Sequence, residues 1–181
     1  MHIRRCLLAT AAAVLPLASL AAQERPVFVA LSGGVSLPQG TFGDASDMGW
    51  HAQATLGVST FMQPIGLRLD VAYNQFAFKD ATVALLGSGN NSVASGTLNA
   101  TYRLPMTNSA LSPYLITGLG AYRTDCSLAS CEAATHFGWN AGLGARLNVL
   151  GLVTFLEARY HRTKLNGDAL AYFPITLGLT F

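Results

Sequence analysis

Three groups of residues in this chain carry types and spacings that could do chemistry. The first lies in the run 152–163, where Glu157, His161 and Thr163 share one parity. On a strand, residues of one parity stand on one face, so an acid, a base and a hydroxyl would be aligned there. Nucleophilic catalysis needs the hydroxyl within hydrogen-bond reach of its base. Here the hydroxyl is a threonine, and two-residue spacing along one strand is a weak form of that contact, so a hydrolytic site is not expected. The second group is ionic: Arg68, Asp70, Arg103, Arg146, Glu157 and Arg159 fall on one face of four separate runs. Four guanidiniums and two carboxylates facing one interior would be costly unless they paired. They are expected to form a bridged network, a plug of the interior rather than an ion path, with Asp70 and Glu157 as the bridging acids. The third group is Cys126 and Cys131, five positions apart. Two thiols alone do not complete a metal site, so a disulfide holding a loop tip is expected. His51, His136 and His161 share the charged face but lack a tight ligand spacing, so no metal and no cofactor is expected.

The elements that must position these groups begin after a targeting segment. Residues 1–22 have a basic start at Arg4 and Arg5, an apolar stretch from Cys6 to Leu20, and a small-residue end before Gln23. This is the layout of a cleaved secretory signal, too short and too Pro-interrupted for a helical span. Residues 23–181 are then a single domain. Of eleven Lys and Arg, removing Arg4 and Arg5 leaves nine against nine Asp and Glu, a formal net charge of zero. Bulk charge therefore gives no reason to expect a nucleic-acid partner. Charged residues make up 11% of the chain, against about 25% in a typical soluble domain.

The apolar residues are spread one in two rather than stacked in blocks. The clearest run, 65–74, puts Ile, Leu, Leu, Val and Tyr at odd positions and Gly, Arg, Asp, Ala and Asn at even ones. Eight such runs are predicted as strands: 27–36, 50–61, 65–76, 92–104, 113–124, 135–147, 152–163 and 172–181. The fifth has mixed faces, because Leu115 and Ile116 fall on different parities. The pattern predicts an all-β chain, an eight-stranded antiparallel up-and-down transmembrane β-barrel. A soluble barrel with its apolar face inward would alternate in the same way. Low charge, a polar face rich in Gly and aromatics gathered toward one rim (Trp50, Tyr73, Trp139, Tyr160, Phe173) favour lipid on the outside.

The last run sets Ile175, Leu177, Leu179 and Phe181 at every second position and closes on an aromatic. It resembles the assembly signal of bacterial outer-membrane barrels. With Pro113-Tyr114-Leu115, Gly118-Leu119-Gly120-Ala121 and Leu156-Glu157-Ala158-Arg159-Tyr160, the domain resembles the small eight-stranded outer-membrane barrels, the OmpA/OmpX-like and opacity-like group. The resemblance implies an outer-membrane location, contact with outer-membrane lipid, handling by the barrel-assembly machinery and a monomer. Some barrels of this shape are lipid A deacylases, but no His-x-Ser-Asn phrase is present. A non-enzymatic envelope or surface role through the loops is the leading expectation. A narrow channel opened through the Arg–acid network and a lipid hydrolase are the alternatives. With both ends of the barrel on the periplasmic side, segments 37–49, 77–91, 125–134 and 164–171 face outside as loops.

Overall fold

The computed structural model describes residues 27–59, 64–105, 111–128, 132–149, 151–165 and 168–181. The expected targeting segment, 1–22, lies outside them. Eight strands follow in order: β1 (Val27–Gln39), β2 (Gly49–Ser59), β3 (Ile65–Ala77), β4 (Asn90–Arg103), β5 (Leu111–Cys126), β6 (Ala134–Val149), β7 (Leu152–Leu165) and β8 (Asp168–Thr180). Each pairs antiparallel with its neighbour in sequence, and β8 closes on β1. Closure leaves no edge strand, which a lipid environment requires because unpaired backbone groups find no water there.

The alternation read from the sequence sets the two faces. One exposed Leu from every strand (Leu31, Leu56, Leu69, Leu98, Leu119, Leu143, Leu156, Leu177) forms an outward apolar belt. At one end of the belt Trp50 lies beside Tyr73, ring centroids 5.9 Å apart, and Trp139 beside Tyr160 at 5.7 Å. Tyr102 and Phe181 are exposed toward the other end. Such girdles mark the two membrane interfaces of an outer-membrane barrel.

On β5 the structure selects Tyr114, Ile116 and Tyr122 for the interior and leaves Leu115 and Leu119 outside. The partner strand explains the choice. Tyr114 is paired with Gly144, and a Cβ there would meet the Tyr114 hydroxyl at 2.5 Å. The same device recurs at Phe28 with Gly57 and Phe155 with Gly178, each a register pair. An added Cβ would meet the facing ring at 2.0 Å at Gly57 and 2.4 Å at Gly178. Interior glycines on one strand thus leave room for an interior aromatic on the next.

Three segments differ from expectation. The segment 37–49 holds a short helix α1 (Gly40–Ala45), and 77–91 holds α2 (Asp80–Leu86). The expected loop 164–171 is mostly strand, since β7 runs to Leu165 and β8 starts at Asp168. The interior supplies the reason: Leu170 and Tyr172 are buried there with Phe42 of α1, Phe76 and Val93. Phe42 meets Phe76 edge-on at 5.0 Å, and Phe76 meets Tyr172 at 5.8 Å. Burying these groups favours continued ladder pairing over open loop. The two helices lie at one end of the barrel. The two helical connections, β1–β2 and β3–β4, are the longest in the barrel.

Candidate functional site

The interior is built in layers. At its centre stand two residues from β3, Arg68 and Asp70, and two from β7, Glu157 and Arg159. These strands are diametrically opposed in an eight-stranded ring. Arg68 Nε lies 3.0 Å from Asp70 Oδ2, and its Nη2 lies 2.8 Å from Glu157 Oε1. Arg159 Nη1 lies 2.9 Å from the same Asp70 oxygen, and its Nε lies 2.8 Å from the same Glu157 oxygen. Two cations and two anions thus make a closed, neutral quartet. Its side chains are almost wholly shielded from solvent, Arg159 and Glu157 at 1% exposure each.

The remaining lone pairs are used as well. Thr55 donates to Asp70 Oδ1 at 2.6 Å and Asn99 to Asp70 Oδ2 at 2.9 Å. Tyr114 donates to Glu157 Oε2 at 2.6 Å, and Arg159 donates to Gln53 Oε1. A buried ion pair is tolerable only when both Coulomb partners and hydrogen-bond partners are present. Thr55, Asn99, Gln53 and Tyr114 were not singled out from the sequence. Three of them lie at inward parity on their runs, which was the available signal. Tyr114 sits on the strand whose parity was ambiguous.

Arg103 and Arg146 are not in the quartet. The expected six-residue network is therefore split, a correction with a geometric cause. By register both arginines stand toward the turn side of the quartet, Arg103 four residues from Asn99, the partner of Arg68, and Arg146 two residues from Gly144, the partner of Glu157. Arg146 instead lies over Phe28 at 4.9 Å and over Tyr114 at 5.9 Å. Such guanidinium–ring contacts are favourable without an acid. Arg103 and Arg146 line a cavity of about 30 Å³ with Phe28, Thr101, Ser112 and Tyr114. That is room for about two waters.

On the other side of the quartet lies a neutral polar layer. Ser36 donates its one proton to Asn74 Oδ1 at 2.8 Å, so His51 Nδ1, 3.1 Å from the same hydroxyl, is the donor in that contact. His51 Nε2 lies 2.9 Å from the Thr176 hydroxyl. His161 Nδ1 lies 3.0 Å from the Tyr122 hydroxyl, and its ring stacks on Tyr172 at 4.9 Å. Glu157, His161 and Thr163 do share the inward face, but Glu157 is held by arginines and Tyr114, and Thr163 donates to the Phe137 carbonyl at 3.1 Å. No acid–base–hydroxyl relay connects them, and the three stand inside a closed wall. Among the described residues no group of three or more His, Cys, Asp and Glu is arranged to hold a metal. Cys126 ends β5, and Cys131 lies outside the described residues. Ile175, Leu177, Leu179 and Phe181 all face outward from β8 and its end.

Comparison with known proteins agrees with this architecture. Neisserial surface protein A is similar over 86% of this chain and 96% of its own, with 17% identity and a TM-score of 0.66. Ail, the attachment invasion locus protein of Yersinia pestis solved with the heparin analogue sucrose octasulfate, is similar over 87% of this chain and 100% of its own, with 18% identity and a TM-score of 0.52. The outer membrane enzyme PagL covers 86% of this chain and 98% of its own, with 13% identity and a TM-score of 0.51. At these identities the likeness is one of fold. No curated protein matches the sequence. The model of the outer membrane protein beta-barrel domain matches residues 7–181. This chain belongs to that family, a small eight-stranded barrel of the bacterial cell outer membrane.

Proposed function

We propose that this protein is a non-enzymatic surface barrel whose closed interior serves stability and whose work is done at its outer end. The carrying observation is the neutral Arg68–Asp70–Glu157–Arg159 quartet, tied across the full width of the interior. Above it, the Phe42–Phe76–Tyr172 cluster fills the helical end. An eight-stranded barrel has an interior that side chains can fill, and filled layers of this kind oppose ion flow. Ail, named for attachment and invasion, shares this fold and gives the surface role a precedent. PagL shows that the fold can also host an enzyme, but here the acid, His161 and Thr163 face the interior rather than the lipid.

The test is single-channel recording in planar bilayers. The wild-type barrel should stay at the baseline of the protein-free membrane. Discrete openings that change in Glu157→Ala would overturn the closed-interior reading and favour the channel. Release of fatty acid from a lipid substrate, lost in His161→Ala, would favour the hydrolase. Handling by the barrel-assembly machinery and a monomeric state belong to the same proposal, supported by the outward apolar alternation of β8.

A further inference from the structure

The cations of the barrel wall are distributed unevenly. Among the described residues Arg68, Arg103, Arg146 and Arg159 turn inward, and Lys79, between β3 and α2, donates to the Gly43 carbonyl. The remaining three, Arg123, Arg162 and Lys164, are exposed, and all belong to β5 and β7. Their odd or even parity is that of the lipid-facing residues of the same strands, Leu119 on β5 and Tyr160 on β7. None of the three makes a salt bridge among the described residues.

Their level is fixed by the register. Arg162 is paired with Trp139, and Trp139 packs on Tyr160 in the aromatic girdle. Lys164 lies two residues farther toward the helical end, about 7 Å along the strand. Arg123 is paired with Thr135, four residues beyond Trp139 in the same direction. Between the two basic strands β6 presents Phe137, which is 86% exposed and faces outward next to the girdle. The one acid on the same face of β5, Asp125, accepts from the Cys126 backbone amide at 2.8 Å. Asp44, Asp47 and Asp80 lie in the helical connections β1–β2 and β3–β4, elsewhere on the rim, and the exposed Glu132 lies in the β5–β6 connection, past the end of the β6 strand that carries Phe137.

We infer that Arg123, Arg162 and Lys164, with Phe137 between them, form a site for the anionic, phosphate-bearing headgroup of a membrane lipid at the helical end of the barrel. Just beyond an aromatic girdle, an outward side chain lies among headgroups rather than acyl tails. Arg and Lys lay their stems along the apolar wall and raise the charge to that level. Guanidinium and ammonium groups there complement phosphate oxygens, while an exposed Phe offers apolar contact to the glycerol or sugar and upper chain. Strands lie about 4.8 Å apart and Arg123 stands two residues beyond the level of Lys164, so the two lie about 12 Å apart on the wall, a span suited to one large headgroup or two small ones.

The experiment uses the full barrel in phosphatidylcholine nanodiscs containing a minor share of phosphatidylglycerol. After extraction into mild detergent, native mass spectrometry counts the lipids retained. Wild type should retain phosphatidylglycerol over phosphatidylcholine. Each charge removed should lower that ratio about five-fold, so the triple variant Arg123→Gln, Arg162→Gln, Lys164→Gln should lose the preference. Arg123→Lys with Arg162→Lys should keep it. A heat-dependent gel shift in every variant separates loss of the site from loss of the barrel. An unchanged ratio in the triple variant, or loss of preference in the charge-preserving one, overturns the site. Displacement of the lipid by inorganic phosphate alone would replace it with a free-anion site, and would equally overturn the proposal.

Discussion

Glu157 and Asp70 illustrate why single residues matter most where the dielectric is low. Each carboxylate accepts from two arginines and from at least one neutral donor. Removing one leaves two guanidiniums facing each other with half their compensation gone. Glu157→Ala should therefore destabilise the folded barrel by about 3–5 kcal/mol, read as a lower denaturant midpoint in micelles. Removing Arg159 as well should recover part of that loss, because the unpaired charge disappears with it. A purely additive double variant would show that the quartet does not act as a unit. At Gly144 the constraint is steric. A Cβ there would meet the Tyr114 hydroxyl at 2.5 Å, and that hydroxyl is committed to Glu157. Gly144→Val should cost about 1–3 kcal/mol by overpacking, measured by the same midpoint. Combining it with Tyr114→Phe should relieve little, since the ring remains; combining it with Tyr114→Ala should relieve the clash.

Among the elements, β5 and β6 form the longest hairpin, each strand spanning 16 residues. Their ends project past the girdle at Trp139. We propose that a Cys126–Cys131 disulfide holds the tip. By the chain-entropy model so short a loop would gain about 2 kcal/mol from the bridge. The non-reduced intact mass of the folded protein should lie two hydrogens below that of the reduced one, and reduction should lower the stability of this hairpin without opening the barrel. A mass unchanged by reduction would remove the bridge. The elements α1 and α2 show where local pattern is weakest. At six and seven residues they are shorter than an isolated helix can sustain. Tertiary contact supports α1 through Phe42, and α2 through Thr82, which donates to the Ala45 carbonyl at 3.0 Å. The β7–β8 extension has the same origin: Leu170 and Tyr172 gain burial only by continuing the ladder.

For the whole molecule, closure is the central fact. Every strand has two hydrogen-bonded neighbours, so unfolding cannot begin by peeling an edge. The outer-membrane fraction should contain a species whose gel mobility shifts only after boiling, because a closed barrel resists detergent at ambient temperature. A protein that runs identically with and without boiling, and that partitions with soluble periplasmic proteins, would be incompatible with this placement. The two ends of the molecule also differ: both helices, the two longest connections and exposed Phe137 lie at one end. That asymmetry is the usual one for outer-membrane barrels, with the longer segments outside.

The division between sequence and tertiary structure follows from range. Strand identity, the lipid face and the inward parity of Arg68, Asp70, Glu157 and Arg159 were legible in the chain, because a period of two is a local property and lipid imposes it on every strand. The family and the outer-membrane location rest on the same repeated signal. The pairing of those four residues was not legible in detail, since it depends on β3 facing β7 across a closed ring. The same holds for the orientation of β5, decided by glycines on β6. Arg103 and Arg146 shared the inward parity and so looked equivalent to the others. Only their height in the barrel separated them, and height is set by register and closure rather than by residue type. The aromatic plug was hidden for a related reason: Phe42, Phe76 and Tyr172 are far apart in sequence, and apolar side chains declare a need for burial without declaring against what.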